Sequence, residues 1–322
     1  MPGPFGRPRV VVHNLGMLTS RTFVAASWRP VFLLACLLGL APSSAEAWGF
    51  EAHRFIVERA IALLPPELRP LFEANRAALV ERSIDPDTWQ NAGFDDVESP
   101  NHFLDIDWEG YGKYPFAELP RDYAAAVAKF GRERIEDNGT LPWRTEEMHG
   151  NLRRAFESYA RRGAFGRFDI IHYAAWMAHY VSDAHVPFHA VLNYDGQLTG
   201  QFGLHSRFES ITFERFRQQL TIAPKARASV RDPRTFVFET LLQGTQLVPA
   251  ILKSDLDAIG TRDVYDDQYY AAFFKANRAV MERRLNEAIA GVAATITGAW
   301  EAAGKPPVPV SASSPPQRRR RS

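Results

Sequence analysis

Apolar positions recur every three to four residues along most of the chain, and that spacing predicts helices. Phe55, Ile56, Ala60, Leu63 and Leu64 form one stripe over Phe50–Leu64, which Pro65-Pro66 ends. Glu67–Arg82 is a second amphipathic stretch. Thr145–Arg162, Asp169–Val181, Leu204–Arg217, Pro233–Ile259, Asp266–Ala272 and Phe273–Ala303 follow as further predicted helices. Between them, Ser83–Pro120 is rich in Asp, Pro and Gly (Asp85-Pro86-Asp87, Ser99-Pro100-Asn101, Glu109-Gly110-Tyr111-Gly112) and reads as a long loop. No segment alternates with period two for long enough to propose a strand, and no repeat of 20–50 residues appears. The expected fold class is all-α, one multi-helix domain. Long loops inside such a domain are often functional, which directs attention to Ser83–Pro120 and Pro187–Gly203.

Composition narrows the picture. The 322 residues are 46% hydrophobic and 23% charged, as in globular proteins, and unlike disordered, collagen-like or disulfide-dense chains. The formal net charge of +1 hides an uneven distribution. Residues 1–47 hold four Arg and one Glu, and 306–322 hold four Arg and no acid, leaving 30 basic and 36 acidic residues in 48–305. An acidic body is poorly suited to gripping nucleic acid by counterion release alone. Lys305–Ser322, Pro/Ser-rich and ending in Arg318–Arg321, reads as a disordered and solvated tail.

The beginning of the chain has the marks of an export signal. Arg21 and Arg29 precede the uncharged run Val31–Leu40, and Ala45-Glu46-Ala47 offers small residues at both positions a signal peptidase reads. The run is shorter than the roughly 20 residues a membrane span needs. A lipoprotein reading at Cys36 would require cleavage after too few apolar residues. Residues 1–47 are therefore expected to be a signal peptide, 48–304 the functional domain and 305–322 the tail, with the mature protein secreted or periplasmic and beginning at Trp48. Cys36 is the only cysteine. The mature chain thus has neither disulfides nor thiolate ligands, and any bound metal must use imidazole, carboxylate or backbone groups.

The histidines are clustered. His179 and Asp183 stand at i, i+4 on one predicted helix, which brings their side chains to one face. His189 follows beyond Pro187, and His205 and Glu209 repeat the i, i+4 spacing on the next helix. His102 lies upstream after Ser99-Pro100-Asn101, and His53 lies near the predicted new N-terminus. One HxxxE pair alone is commonly a surface bridge. Two such pairs with a histidine between them, within about thirty residues, suit a borderline divalent metal. His172 faces the same side as His179, but His172, His149 and His185 each read singly as structural.

At these residues the chain resembles the zinc-dependent phospholipase C / S1–P1 nuclease superfamily, with Trp48, His53, Asp87, Asn101-His102-Phe103, His179-xxx-Asp183-xxxxx-His189 and His205-xxx-Glu209 matching its trinuclear zinc centre in order from Trp48 to about Phe213. The resemblance implies an all-α domain with long loops around three Zn²⁺ ions. One ion would be held by Asp87, His102, His179 and Asp183, and a second by His189, His205 and Glu209. The third would take the α-amino group and carbonyl of Trp48, with His53 and Asp183, so that Asp183 bridges two metals. Export would then also activate, because the Trp48 amine becomes free only on cleavage. Asp85 competes with Asp87 for the first site; the residue before the ligand favours Asp87.

The implied activity is phosphodiester hydrolysis by a metal-bridging hydroxide, with Asp87 orienting the nucleophile or acting as base. Glu209 and Pro187-Phe188-His189-Ala190 are closer to the phospholipase branch, which makes a phospholipid the expected substrate, with peripheral membrane contact and no protein partner. The alternatives are a single-strand nuclease or 3'-nucleotidase, which would need an aromatic stacking platform such as Phe202, Tyr194 or Trp89, and a non-catalytic metal-binding protein.

Overall fold

Proline, asparagine and aspartate set the helix boundaries. The computed structural model describes residues 49–160 and 166–310. The expected signal peptide, Trp48 and the tail beyond Val310 lie outside the described residues. Helix α1 (Phe50–Ala60) tightens into a 3₁₀ turn before Pro65. The stretch read as one helix over Glu67–Arg82 is two, α2 (Arg69–Ala74) and α3 (Arg76–Arg82), divided at Asn75. Asn75 leaves helical geometry and its side-chain amide bonds the Leu71 carbonyl at 2.8 Å, the local competition that disfavours Asn inside helices.

The expected loop at 83–120 is largely helical in short pieces. These are α4 (Asp85–Trp89), a π turn at Gln90–Phe94, α5 (Asp95–Glu98) and 3₁₀ turns at Ser99–His102 and Glu109–Tyr111. Prolines at first-turn positions start two of them. Two helices without a sequence expectation follow, α6 (Tyr123–Phe130), capped by the Asp122 carboxylate, and α7 (Arg132–Asp137).

Helices α8 (Leu141–Ala160) and α9 (Gly166–Asp183) pack on each other, and α8 also meets α12 (Pro233–Thr245) and α14 (Asp267–Ala302). The segment expected as one helix over Pro233–Ile259 breaks before α13 (Val248–Ile259), because Pro249 has no amide hydrogen to give and crowds the preceding turn. The opposite occurs at Phe273. Nothing between Asp266, whose carboxylate caps Tyr269 N, and Ala302 interrupts the helix, so the two predicted pieces are one helix of 36 residues. Ile56, Phe156, Tyr180, Val237, Ile251, Met281 and Leu285 are buried where α1, α8, α9, α12, α13 and α14 meet. Each contributes roughly 1.5–3 kcal/mol by leaving water.

No strand occurs among the described residues, and no helix there is long and apolar enough to cross a membrane. The fold is all-α, as the periodicity implied. The expectation of disorder fails for 305–310. Trp300 Nε1 donates to the Pro306 carbonyl at 2.8 Å, Tyr159 donates to that of Pro309 at 2.7 Å, and Val308 is buried.

Candidate metal centre

The i, i+4 pair His179 and Asp183 occupies the last turn of α9. Helix α9 lies against α1, α3 and α4, which brings His53 from α1 and Asp87 from α4 to its C-terminal end. His102 ends the 3₁₀ turn after α5. Its loop is held by the α7–α8 connection, where Thr140 N donates to the Pro100 carbonyl and Leu141 N to that of Phe103. His189 sits on a 3₁₀ turn at Pro187–Ala190.

His205 lies in α10 (Leu204–Ser206), and Glu209 lies in the π turn Arg207–Ile211 that joins it to α11 (Thr212–Phe216). Such π turns are rare and often mark functional positions. The Asp195 carboxylate accepts from Gly203 N and His205 N, fixing the preceding loop to this helix start. Gly49, where the described chain begins, lies against Ser210, the neighbour of Glu209.

These residues form three buried groups able to hold an ion: His53, His179 and Asp183; Asp87, His102 and His179; and His189, His205 and Glu209. Around one point, His102 Nδ1 and His179 Nε2 face each other at 3.0 Å, Asp183 Oδ2 lies 3.1 and 3.2 Å from them, and Asp87 Oδ1 lies 3.5 and 3.4 Å from them. Ligands about 2.0–2.2 Å from a tetrahedral ion stand roughly 3.3–3.6 Å apart, so each carboxylate stands from the two imidazole nitrogens at about the spacing of donors to one ion. The second oxygen of Asp183 turns to His53 Nε2 at 3.3 Å. His179 is the member two groups share, while the two Asp183 oxygens face different histidines, Oδ2 toward His102 and His179 and Oδ1 toward His53. In the remaining group, Glu209 Oε2 lies 3.0 Å from His205 Nε2 and 3.8 Å from His189 Nε2.

Buried polar atoms with nothing to bond support the same reading. Both nitrogens of His53, Asp87 Oδ2, His189 Nε2 and His205 Nδ1 are enclosed without a hydrogen-bond partner, a costly condition unless something else satisfies them. The electrostatics reflect crowded imidazoles and carboxylates. Burial alone would raise Asp183, but the charge of His179 and hydrogen bonds from the surrounding histidines hold it well below the usual range. Burial opposes the charge on His102, yet hydrogen bonding to Asp183 and the nearby Glu98 carboxylate carry it up to about 10. Asp87 is pushed up, chiefly by burial. His205 falls to about 4 by burial. The charge His102 can hold there offsets part of the carboxylate charge that a divalent ion would otherwise neutralise.

Asp85 lies apart from these groups, accepting from Trp176 Nε1 at 3.0 Å and pairing with Arg82 at 3.3 Å. His172 stacks on Trp176, His185 donates to the Val181 carbonyl, and His149 is buried against the main chain of Val230. None of the three joins the groups. The sequence reading missed Glu98, whose carboxylate lies 3.6 Å from His102 Nε2. Its signal was the spacing already used elsewhere, since Glu98 and His102 stand at i, i+4. A cavity of about 450 Å³ opens beside the centre, lined by His102, Phe103, Asp105, His189, Tyr194 and His205 among others. No protein-family model matches this chain, and no curated protein matches it.

Proposed function

We propose that the protein is an exported, zinc-dependent phosphodiester hydrolase of the phospholipase C / S1–P1 nuclease type, acting on phospholipid. One observation carries the reading: three buried donor groups are made only of imidazole and carboxylate, two of them sharing His179, and His102, His189 and His205 of these groups line a cavity. In this proposal Asp87, His102, His179 and Asp183 hold one zinc. His189, His205 and Glu209 hold the second, and His53 and Asp183 hold the third with the amine and carbonyl of Trp48. Zinc bound there would supply an acidified water and positive charge to offset the phosphate.

The chain's own contributions are binding, orientation and proton transfer. Asp87 Oδ2, buried and unbonded, can accept a proton from an attacking water. Asp105 lines the cavity, and burial raises its carboxyl to about 7, so it can hold a proton near neutrality and release it to a leaving oxygen. Exposed Tyr194, Leu198 and Phe202 on the loop bordering the cavity suit a lipid surface. A second reading, single-strand nuclease or 3'-nucleotidase, draws on Phe103 and Asp105 in the same cavity, because a ring and a carboxylate fit a base's face and its N–H groups.

Purified protein processed at Ala47 should hydrolyse phosphatidylcholine faster than single-stranded DNA, and chelation should stop it. DNA cleavage without lipid hydrolysis would select the second reading. Zinc uptake without hydrolysis of either would leave a metal-binding protein and refute the enzyme.

A further inference from the structure

Two imidazoles of the centre anchor their outer nitrogen on main-chain carbonyls. His179 donates Nδ1–H to Ser83 O at 2.8 Å, and His189 donates Nδ1–H to His102 O at 2.5 Å. Both therefore present Nε2 inward. His102 is turned the other way, with Nδ1 toward Asp183, His179 and Asp87 and Nε2 toward the Glu98 carboxylate at 3.6 Å.

Glu98 is itself clamped. It is 5% exposed. Tyr180 donates its hydroxyl to Oε1, while Asn101 Nδ2 and the Arg144 guanidinium reach Oε2 at 3.3 and 3.5 Å. Arg144 Nε also donates to the Tyr180 hydroxyl at 3.1 Å, so the clamp closes on itself. Side chains from the Ser99–His102 turn, α8 and α9 thus leave the carboxylate one further direction, the His102 ring. At 3.6 Å the Glu98 carboxylate makes no hydrogen bond to Nε2, which has no partner of its own, but a full negative charge facing that nitrogen does more than a carbonyl can. With an ion bound, it would hold the proton on Nε2, leave Nδ1 free and make Nδ1 a stronger donor to the cation.

We propose that Glu98, held by Tyr180 and Arg144, is the positioning residue that aims Nδ1 of His102 into the centre and sets the affinity of the ion bound by Asp87, His102, His179 and Asp183. This rests on the metal reading of the centre given above. It assigns that one site a control the other imidazoles of known anchoring lack.

The test is zinc titration of chelator-stripped full-length mature protein against a chromophoric competitor, with cobalt(II) absorption as an independent signature of the ligand field. Glu98→Gln preserves shape and an acceptor oxygen but removes the charge. Its affinity at one site should fall about 10–100-fold, the cobalt spectrum should change, and the site of His189, His205 and Glu209 should be untouched. Glu98→Asp should recover part of the loss. Tyr180→Phe, which keeps the ring and frees the carboxylate, should weaken the same site by a smaller factor, and it decides the matter if Glu98→Gln does not fold. Unchanged affinity and spectrum in both variants, beside a wild type that binds zinc, would overturn this inference alone. An equal loss at every site would also overturn it, since that is the mark of general damage. A wild type that takes up no zinc would overturn the metal reading, and this inference with it.

Discussion

Replacing Asp183 by Asn isolates the proposed sharing of one carboxylate between two ions. The side chain keeps its shape, but Oδ2 loses its charge toward His102 and His179 at 3.1 and 3.2 Å, and Oδ1 toward His53 at 3.3 Å. Metal content should fall from three zinc ions per chain to one, and hydrolysis should be abolished. Glu209→Gln, which touches one group only, should leave two. Each site held at 100 times its dissociation constant stabilises the fold by about 2.7 kcal/mol. Losing two sites thus removes roughly 5 kcal/mol, or about 10–20 °C in melting temperature for a domain of this size. Glu209→Gln should lose about half of that. Elemental analysis gives the stoichiometry, and thermal melts of each variant with buffered zinc and with chelator give the metal-dependent part. The subtraction matters because Asp183→Asn also weakens the metal-free protein, through charged hydrogen bonds worth about 1.5–3 kcal/mol each. An Asp183→Asn protein that keeps three ions and the full zinc-dependent shift would refute the shared-carboxylate arrangement.

Three other outcomes are expected. Asp87→Asn should eliminate hydrolysis, whereas Asp85→Asn should leave it nearly intact and cost about 1 kcal/mol in urea unfolding, for the Trp176 hydrogen bond; the reverse order would place the ligand at Asp85. Gly139→Ala should destabilise by several kcal/mol and lower zinc content, because Gly139 has φ +94° and an added Cβ would lie 2.2 Å from the Phe103 carbonyl, beside His102; a variant that melts within about 2 °C of wild type would contradict that packing. Burial lowers His149 to about 4 from an ordinary 6.5. The unfolded chain takes up that proton below about 6.5 and the folded one only below about 4, so stability is full above 6.5 and declines as pH falls through that window. Chelated protein should lose about 2 kcal/mol on this account between pH 7 and 5, and His149→Gln should flatten the slope; an equal slope in the variant would exclude His149 as the cause.

The helical class and most of the candidate site could be read from the chain because both rest on local spacing. An i, i+4 pair such as His179–Asp183 or His205–Glu209 is adjacent in any helix, whatever surrounds it. The choice between Asp85 and Asp87 was not local. It follows from how α4 lies on α9, and that packing sends Asp85 to Trp176. Glu98 escaped notice because its neighbours Ser99 and Pro100 read as loop, and only the packing of α8 and α9 reveals the clamp that Tyr180 and Arg144 close on it. Helices α6 and α7 were missed for shortness, and the π turn under Glu209 has no propensity signal. The junctions misread at Pro249 and Phe273 are instructive in opposite ways, one a breaker overlooked and the other a break assumed without any breaker.

The residues of the centre come from far apart in the chain, with His53 and Asp183 separated by 130 residues. Cys36 is the one cysteine of the sequence, so no disulfide can form within residues 48–322, and ions joining these positions would act as a substitute. Closing a loop of that length in the unfolded chain is worth about 5 kcal/mol on the entropy model applied to disulfides. Unlike a disulfide, such a cross-link forms only where metal is available and parts when it is withdrawn. If the protein is exported as proposed, its durability would be set by the metal content of the surroundings rather than by their redox state.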